Sequence, residues 1–103
     1  MGKIVKVAIK SDVPPGGCLS VDADGLTVAL FNVDGTIHAI DNNCAHQGGP
    51  LGEGFLEGKT VTCPWHGWQY DVTNGECTTG PGISVQRFNV KTEGDDVLVQ
   101  LEE

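Results

Sequence analysis

Cys44-Ala45-His46 and Cys63-Pro64-Trp65-His66-Gly67-Trp68 constrain this chain more than any other feature, because each short stretch places one thiol beside one imidazole. A C-x-H pair followed by a C-x-x-H pair supplies four metal ligands on two loops. Two anionic thiolates suit one iron and two neutral imidazoles suit a second, which is the asymmetric ligation of a two-iron, two-sulfide cluster. The same ligand types also build closed tetrahedral zinc sites, so zinc is the competing reading. Zinc ribbons favour knuckles of two cysteines, whereas here each pair mixes cysteine with histidine.

Two ligand loops need a frame, and the rest of the chain predicts an all-β one. Lys3 to Lys10 is rich in Ile and Val, and Leu26 to Phe31 is a second extended run. Asp34-Gly35 then gives a two-residue hairpin signal before Thr36 to Asp41. Thr60-Val61-Thr62 leads into the second ligand loop and Gln69-Tyr70-Asp71 leaves it. Asn74-Gly75 turns the chain, and Ile83 to Lys91 is expected to pair with Val97 to Leu101 across Glu93 to Asp96. No long stretch of helical period appears. Fifteen glycines and five prolines punctuate these runs, as short strands joined by tight turns require. Gly48-Gly49-Pro50 follows one residue after His46. Glycine there lets backbone N–H groups approach sulfur without a Cβ in the way.

At 103 residues the chain is expected to form one domain, 1–103. Only 39% of its residues are apolar, so the ligand loops are expected to rely on metal for order. Fourteen acidic against six basic residues give a net charge of −8, which argues against nucleic-acid and anionic-membrane partners and for a partner with a basic docking face. No run is long enough to span a bilayer and the opening residues lack a signal-peptide core, so the expected location is cytoplasmic; the expected state is monomeric. Cys18 and Cys77 are too few for a disulfide scaffold and read as small buried or half-buried side chains. His38 has no ligand-spaced neighbour and reads as a surface histidine.

Cys44 to Leu51 and Cys63 to Asp71 resemble the two cluster-binding loops of Rieske proteins. The resemblance continues through Val13-Pro14-Pro15-Gly16, Asn32 to Gly35, Thr73-Asn74-Gly75 and Gly80-Pro81-Gly82, where small Rieske ferredoxins carry similar residues. It implies the Rieske fold, with antiparallel sandwich- or barrel-like sheets and a cluster-binding subdomain of two loops. It also implies one [2Fe–2S] cluster held by Cys44, His46, Cys63 and His66, with a third loop around Pro81 covering it.

The same resemblance bears on redox tuning. Replacing anionic thiolates by neutral imidazoles makes an electron easier to add and raises the potential above that of an all-cysteine centre. Respiratory Rieske proteins carry an extra disulfide between their loops, at the positions of Gly49 and Trp65 here, so that staple is missing. They place a serine hydroxyl on a bridging sulfide where this chain has Trp68, and a tyrosine hydroxyl near a ligand sulfur where it has Tyr70. Gln47 stands where they have a shielding leucine. The resemblance therefore implies a potential below the respiratory type and, with Tyr70 bonded to sulfur, above ferredoxins that carry Phe there. Trp65 and Trp68 read as hydrophobic packing or as contacts for a partner.

The expected role is a non-catalytic carrier that takes one electron from a flavin-dependent reductase and gives it to a terminal oxygenase. Two alternatives stand beside it: a Rieske-like small subunit of an assimilatory nitrite reductase, and a zinc-stabilised interaction module.

Overall fold

The computed structural model describes residues 3–43, 50–64, 67–79 and 82–101. Their strands are β1 (Lys3–Ile9), β2 (Cys18–Ala23), β3 (Leu26–Val33), β4 (Thr36–Asp41), β5 (Phe55–Glu57), β6 (Thr60–Thr62), β7 (Gln69–Asp71), β8 (Arg87–Glu93) and β9 (Asp96–Leu101). Helical structure among the described residues is limited to single 3-10 turns at Lys10–Asp12 and Leu51–Glu53. No helix there is long and apolar enough to cross a membrane.

The strands form two antiparallel sheets. The larger runs β1-β9-β8-β4-β3-β2, and the smaller runs β5-β6-β7. β1 and β2, at the two ends of the larger sheet, also pack against each other, which curls it into a barrel-like shape. Hairpin chemistry sets much of this topology. Asp34 and Gly35 have φ of 52° and 94°, and Asp24 and Gly25 have 54° and 92°. Both Asp-Gly pairs thus adopt the doubly left-handed conformation that matches strand twist.

β3 shows why an uninterrupted apolar run was needed. Val28 and Leu30 enter a first core with Ala8, Ile37, Phe88 and Val99, inside the curled sheet. Ala29 and Phe31, on the opposite face, enter a second core with Ile40, Leu51, Val61, Cys63, Tyr70 and Val72. A strand covered on both sides loses the alternation of a half-exposed one. The second core is what joins the small sheet to the large one.

The sequence reading omits β2 and β5, and it begins β8 too early. Residues Ile83 to Gln86 belong elsewhere: Ile83 accepts a bond from the Cys77 N–H at 2.9 Å, the Val85 N–H donates to Gly75 at 2.8 Å, and the Gln86 carbonyl accepts from Asp41 at 2.8 Å. Those backbone groups are committed before the β8–β9 ladder starts at Glu93↔Asp96 and runs to Asn89↔Gln100.

Candidate metal centre

The first ligand motif is flanked by a clamp at its base. Asn43 and Pro50 form an antiparallel bridge, and the Leu51 N–H donates to the Asn42 carbonyl at 2.8 Å. Asn42 is itself buried, and its Oδ1 accepts from the Gly52 N–H at 2.7 Å and from Ser20 Oγ at 3.0 Å. A Cβ at Gly52 would lie 2.8 Å from the Ser20 nitrogen and 2.9 Å from Asn42 Oδ1, so the close approach requires glycine. Cys44, His46, Gln47, Gly48 and Gly49 themselves lie outside the described residues.

The second motif sits on the β6–β7 hairpin. Thr62 pairs with Gln69, and the Cys63 N–H donates to the Trp68 carbonyl at 2.7 Å, so the ladder closes at the candidate ligand itself. Gly67, at φ 75°, supplies the left-handed position that brings the chain back. Cys63 is 2% exposed and shares the second core with Tyr70, which is fully buried. Trp68 is half-buried and packs against that core, as one of its two readings held. His66 and Trp65 lie outside the described residues.

The segment that would form the third loop is tied to the same hairpin. Tyr70 bridges to Cys77 and Glu76 to Ser84. The Thr78 N–H donates to the Gln69 carbonyl at 2.8 Å, and the Gln69 N–H to Thr79 Oγ1 at 3.2 Å. Gly80 and Pro81 lie outside the described residues, but both arms leading to them are anchored beside the second motif.

At the far end of the hairpin, Asp71 accepts from the Thr73 N–H at 2.9 Å and from its hydroxyl at 2.5 Å, and meets Lys59 at 3.5 Å. Burial pulls its carboxyl up, but the Thr73 bonds and the Lys59 charge outweigh that and hold it below the usual range. His38 is half-buried rather than freely exposed, because it lies on the β4 face that carries Ile40 into the second core. That burial, with the Arg87 charge, lowers its pKa against an opposing pull from Asp71. Cys18 and Cys77 are both half-buried, as expected. Burial raises the Cys18 thiol, which donates to the Gly54 carbonyl at 3.4 Å.

Phe55 has a different setting. Leu56, Val61 and Tyr70 face the second core, so Phe55, Thr62 and Gln69, in one cross-strand row, face outward. Phe55 is 71% exposed and opposes Thr62, the residue before Cys63. A cleft of about 320 Å³ runs along this row to Glu57 and Thr60. No sequence signal singled Phe55 out, although an aromatic residue between Gly54 and a β-turn was visible.

A cysteine held almost without solvent, at a strand end fixed by a backbone bond, suits a metal-bound thiolate. A thiolate there would be costly without compensating charge, which a ferric iron would supply if Cys63 held one. The fold and the donor types of the two motifs together define the class as an iron–sulfur protein.

The chain belongs to the Rieske [2Fe–2S] domain family, whose model matches residues 3–96. It is 36% identical over 91 residues to the ferredoxin component of a naphthalene 1,2-dioxygenase system from Pseudomonas aeruginosa, covering 87% of this chain and 88% of that one. Among solved structures, a chain in the complex of reduced oxygenase and oxidized ferredoxin of carbazole 1,9a-dioxygenase superposes with a TM-score of 0.85 at 30% identity, covering 93% and 91%. A nitrite reductase small subunit from Mycobacterium tuberculosis superposes at 0.90, covering 100% and 98%, but its 22% identity speaks to the fold alone. The protein is thus an electron carrier of ferredoxin type, with one [2Fe–2S] cluster, and not itself a catalyst.

Proposed function

We propose that Cys44, His46, Cys63 and His66 hold the cluster in a single domain, 1–103, and that the protein passes single electrons from a flavin-dependent reductase to a terminal oxygenase that hydroxylates aromatic rings. When bound, the cluster supplies one reversible one-electron step at a potential raised by its two neutral ligands. The observation that carries the proposal is the burial of Cys63 on a closed hairpin, in a chain whose sequence carries both ligand motifs whole.

The chain's own residues perform the supporting tasks. Cys63 and Tyr70 form a dry wall on the protein side, and in this reading the Tyr70 hydroxyl donates to a ligand sulfur. Gln47, Gly48, Gly49 and Pro81 are assigned the tuning or covering of the cluster. Trp68 packs the edge of the wall. Phe55, with exposed Glu53 and Glu57 in the same stretch, offers an apolar contact rimmed by negative charge beside the second motif. A basic partner is its complement, and the −8 net charge extends that preference over the whole chain. The carrier works in the cytoplasm as a monomer, without nucleic acid or membrane.

The nitrite-reductase reading is weaker, because that likeness lies in the fold while the complete ligand set suits a carrier. Single-turnover mixing of the reduced protein with the oxygenase component of a naphthalene 1,2-dioxygenase system tests the proposal. Oxidation of one electron equivalent per chain is expected. An oxidation rate no faster than with buffer alone would contradict it.

A further inference from the structure

The buried amide of Asn42 has no part in the assignments above, yet three segments of chain converge on it. Its carbonyl oxygen takes one bond from the Gly52 backbone and one from Ser20 on β2, at 2.7 and 3.0 Å. Its backbone donates to Thr27 at 3.2 Å and accepts from Leu51 at 2.8 Å. Because a backbone N–H can only donate, the atom facing Gly52 must be the amide oxygen, and the network fixes the side chain's orientation. The residue is 6% exposed, so water cannot replace these bonds at low cost.

The position of this knot gives it meaning. Asn42 precedes Asn43, which bridges to Pro50, and those two residues are the described ends of the segment carrying Cys44 and His46. Both ends of the segment are therefore locked to each other and, through Ser20 and Thr27, to the large sheet. We infer that Asn42 is a positioning residue, whose amide oxygen sets the geometry of the first ligand pair and slows loss of the cluster. This rests on the ligand assignment proposed above.

The test uses the cluster-loaded protein and reads two quantities, the bleaching rate under excess iron chelator and the EPR line shape of the reduced state. If the parent lacks two irons and two labile sulfides per chain, the ligand assignment has failed and not this inference. With a loaded parent, Asn42→Ala strands the Gly52 N–H and the Ser20 hydroxyl, and should bleach about ten- to a hundredfold faster with broadened EPR lines. Asn42→Asp keeps an oxygen acceptor at the same place and should stay within about threefold of the parent, with its line shape retained. Its added charge lowers the potential in any case, so the potential is not a criterion. An alanine variant indistinguishable from the parent, or an aspartate variant as damaged as alanine, overturns the inference. Should Asn42→Ala fail to fold, Ser20→Ala decides: faster bleaching supports the role of the oxygen, and an unchanged rate overturns it.

Discussion

The two cores of this molecule share β3 and β4 but are built to different standards. The first is lined by aliphatic residues and Phe88, and the buried amide of Asn32 at its edge is satisfied by donating to the Val13 carbonyl at 2.8 Å. The second, on the opposite face of β3 and β4, buries a thiol and a phenol and has Trp68, Cys18 and Cys77 packed at its margin. Burial of apolar area suffices to hold the first together. The second gathers polar chemistry into a dry place, where the proposed role of Cys63 as a thiolate ligand would bring a cation. Stability and redox function are thus separated across one sheet.

This separation is most easily broken with Cys63→Ser. The variant should lose the red-brown cluster entirely, with iron and labile sulfide falling to background. Amide exchange in β3, β4 and β9 should remain slow, while β6 and β7 lose protection. Equal loss of protection in all of them would show one cooperative unit and no separation.

Leu30→Ala attacks the other side. Leu30 is fully buried in the first core, so truncation should cost about 2–5 kcal/mol in denaturant unfolding. The reduced EPR spectrum of the protein that remains folded should be unchanged.

Tyr70→Phe sharpens the comparison within the second core. It keeps the ring and removes one donor. With a charge-assisted bond worth about 1.5–3 kcal/mol, and each factor of ten about 59 mV for one electron, the midpoint potential should fall by at most about 60–130 mV. Protein-film voltammetry would read it. An unchanged potential with an intact spectrum would place the hydroxyl elsewhere than on a ligand sulfur.

The smallest effect is expected at Asp71, at the hairpin end remote from the motif. Its carboxyl is held below the usual range, so its charge stabilises the fold fully above the unfolded-state pKa near 3.8 and less as pH falls through the lower folded value. Asp71→Asn should therefore be less stable than the parent at neutral pH, by no more than about 1 kcal/mol given the surface-facing Lys59. The two unfolding curves should converge in acid. A gap that persists there would mean that packing, and not charge, is responsible.

Much of this architecture was legible in the residues. Asp34-Gly35 and the extended runs around it gave β3 and β4 directly, since a two-residue turn leaves register little freedom. Asp24-Gly25 carries the same signal and marks β2, but Cys18-Leu19-Ser20 before it is too mixed to read as a strand until its pairing with β3 is seen. The early start given to β8 had another cause. Val85 and Ile83 look like strand residues, yet they are drawn into the second core beside Tyr70. At the site, ligand spacing named Cys63 and the family resemblance named Trp68 and Tyr70, and the structure supplies their packing in one core. Asn42 and Phe55 were not legible, because an Asn before a ligand and an aromatic residue in a short strand acquire roles only through partners distant in sequence.

The central claim is that both motifs serve one cluster, with imidazoles on one iron. Pulsed EPR on the reduced protein, labelled with nitrogen-15 histidine, tests it most directly. Two strongly coupled histidine nitrogens are predicted in the parent, one disappearing in His46→Cys and one in His66→Cys. A reduced cluster with no coupled histidine nitrogen, or a protein holding zinc without labile sulfide after anaerobic preparation, would contradict it.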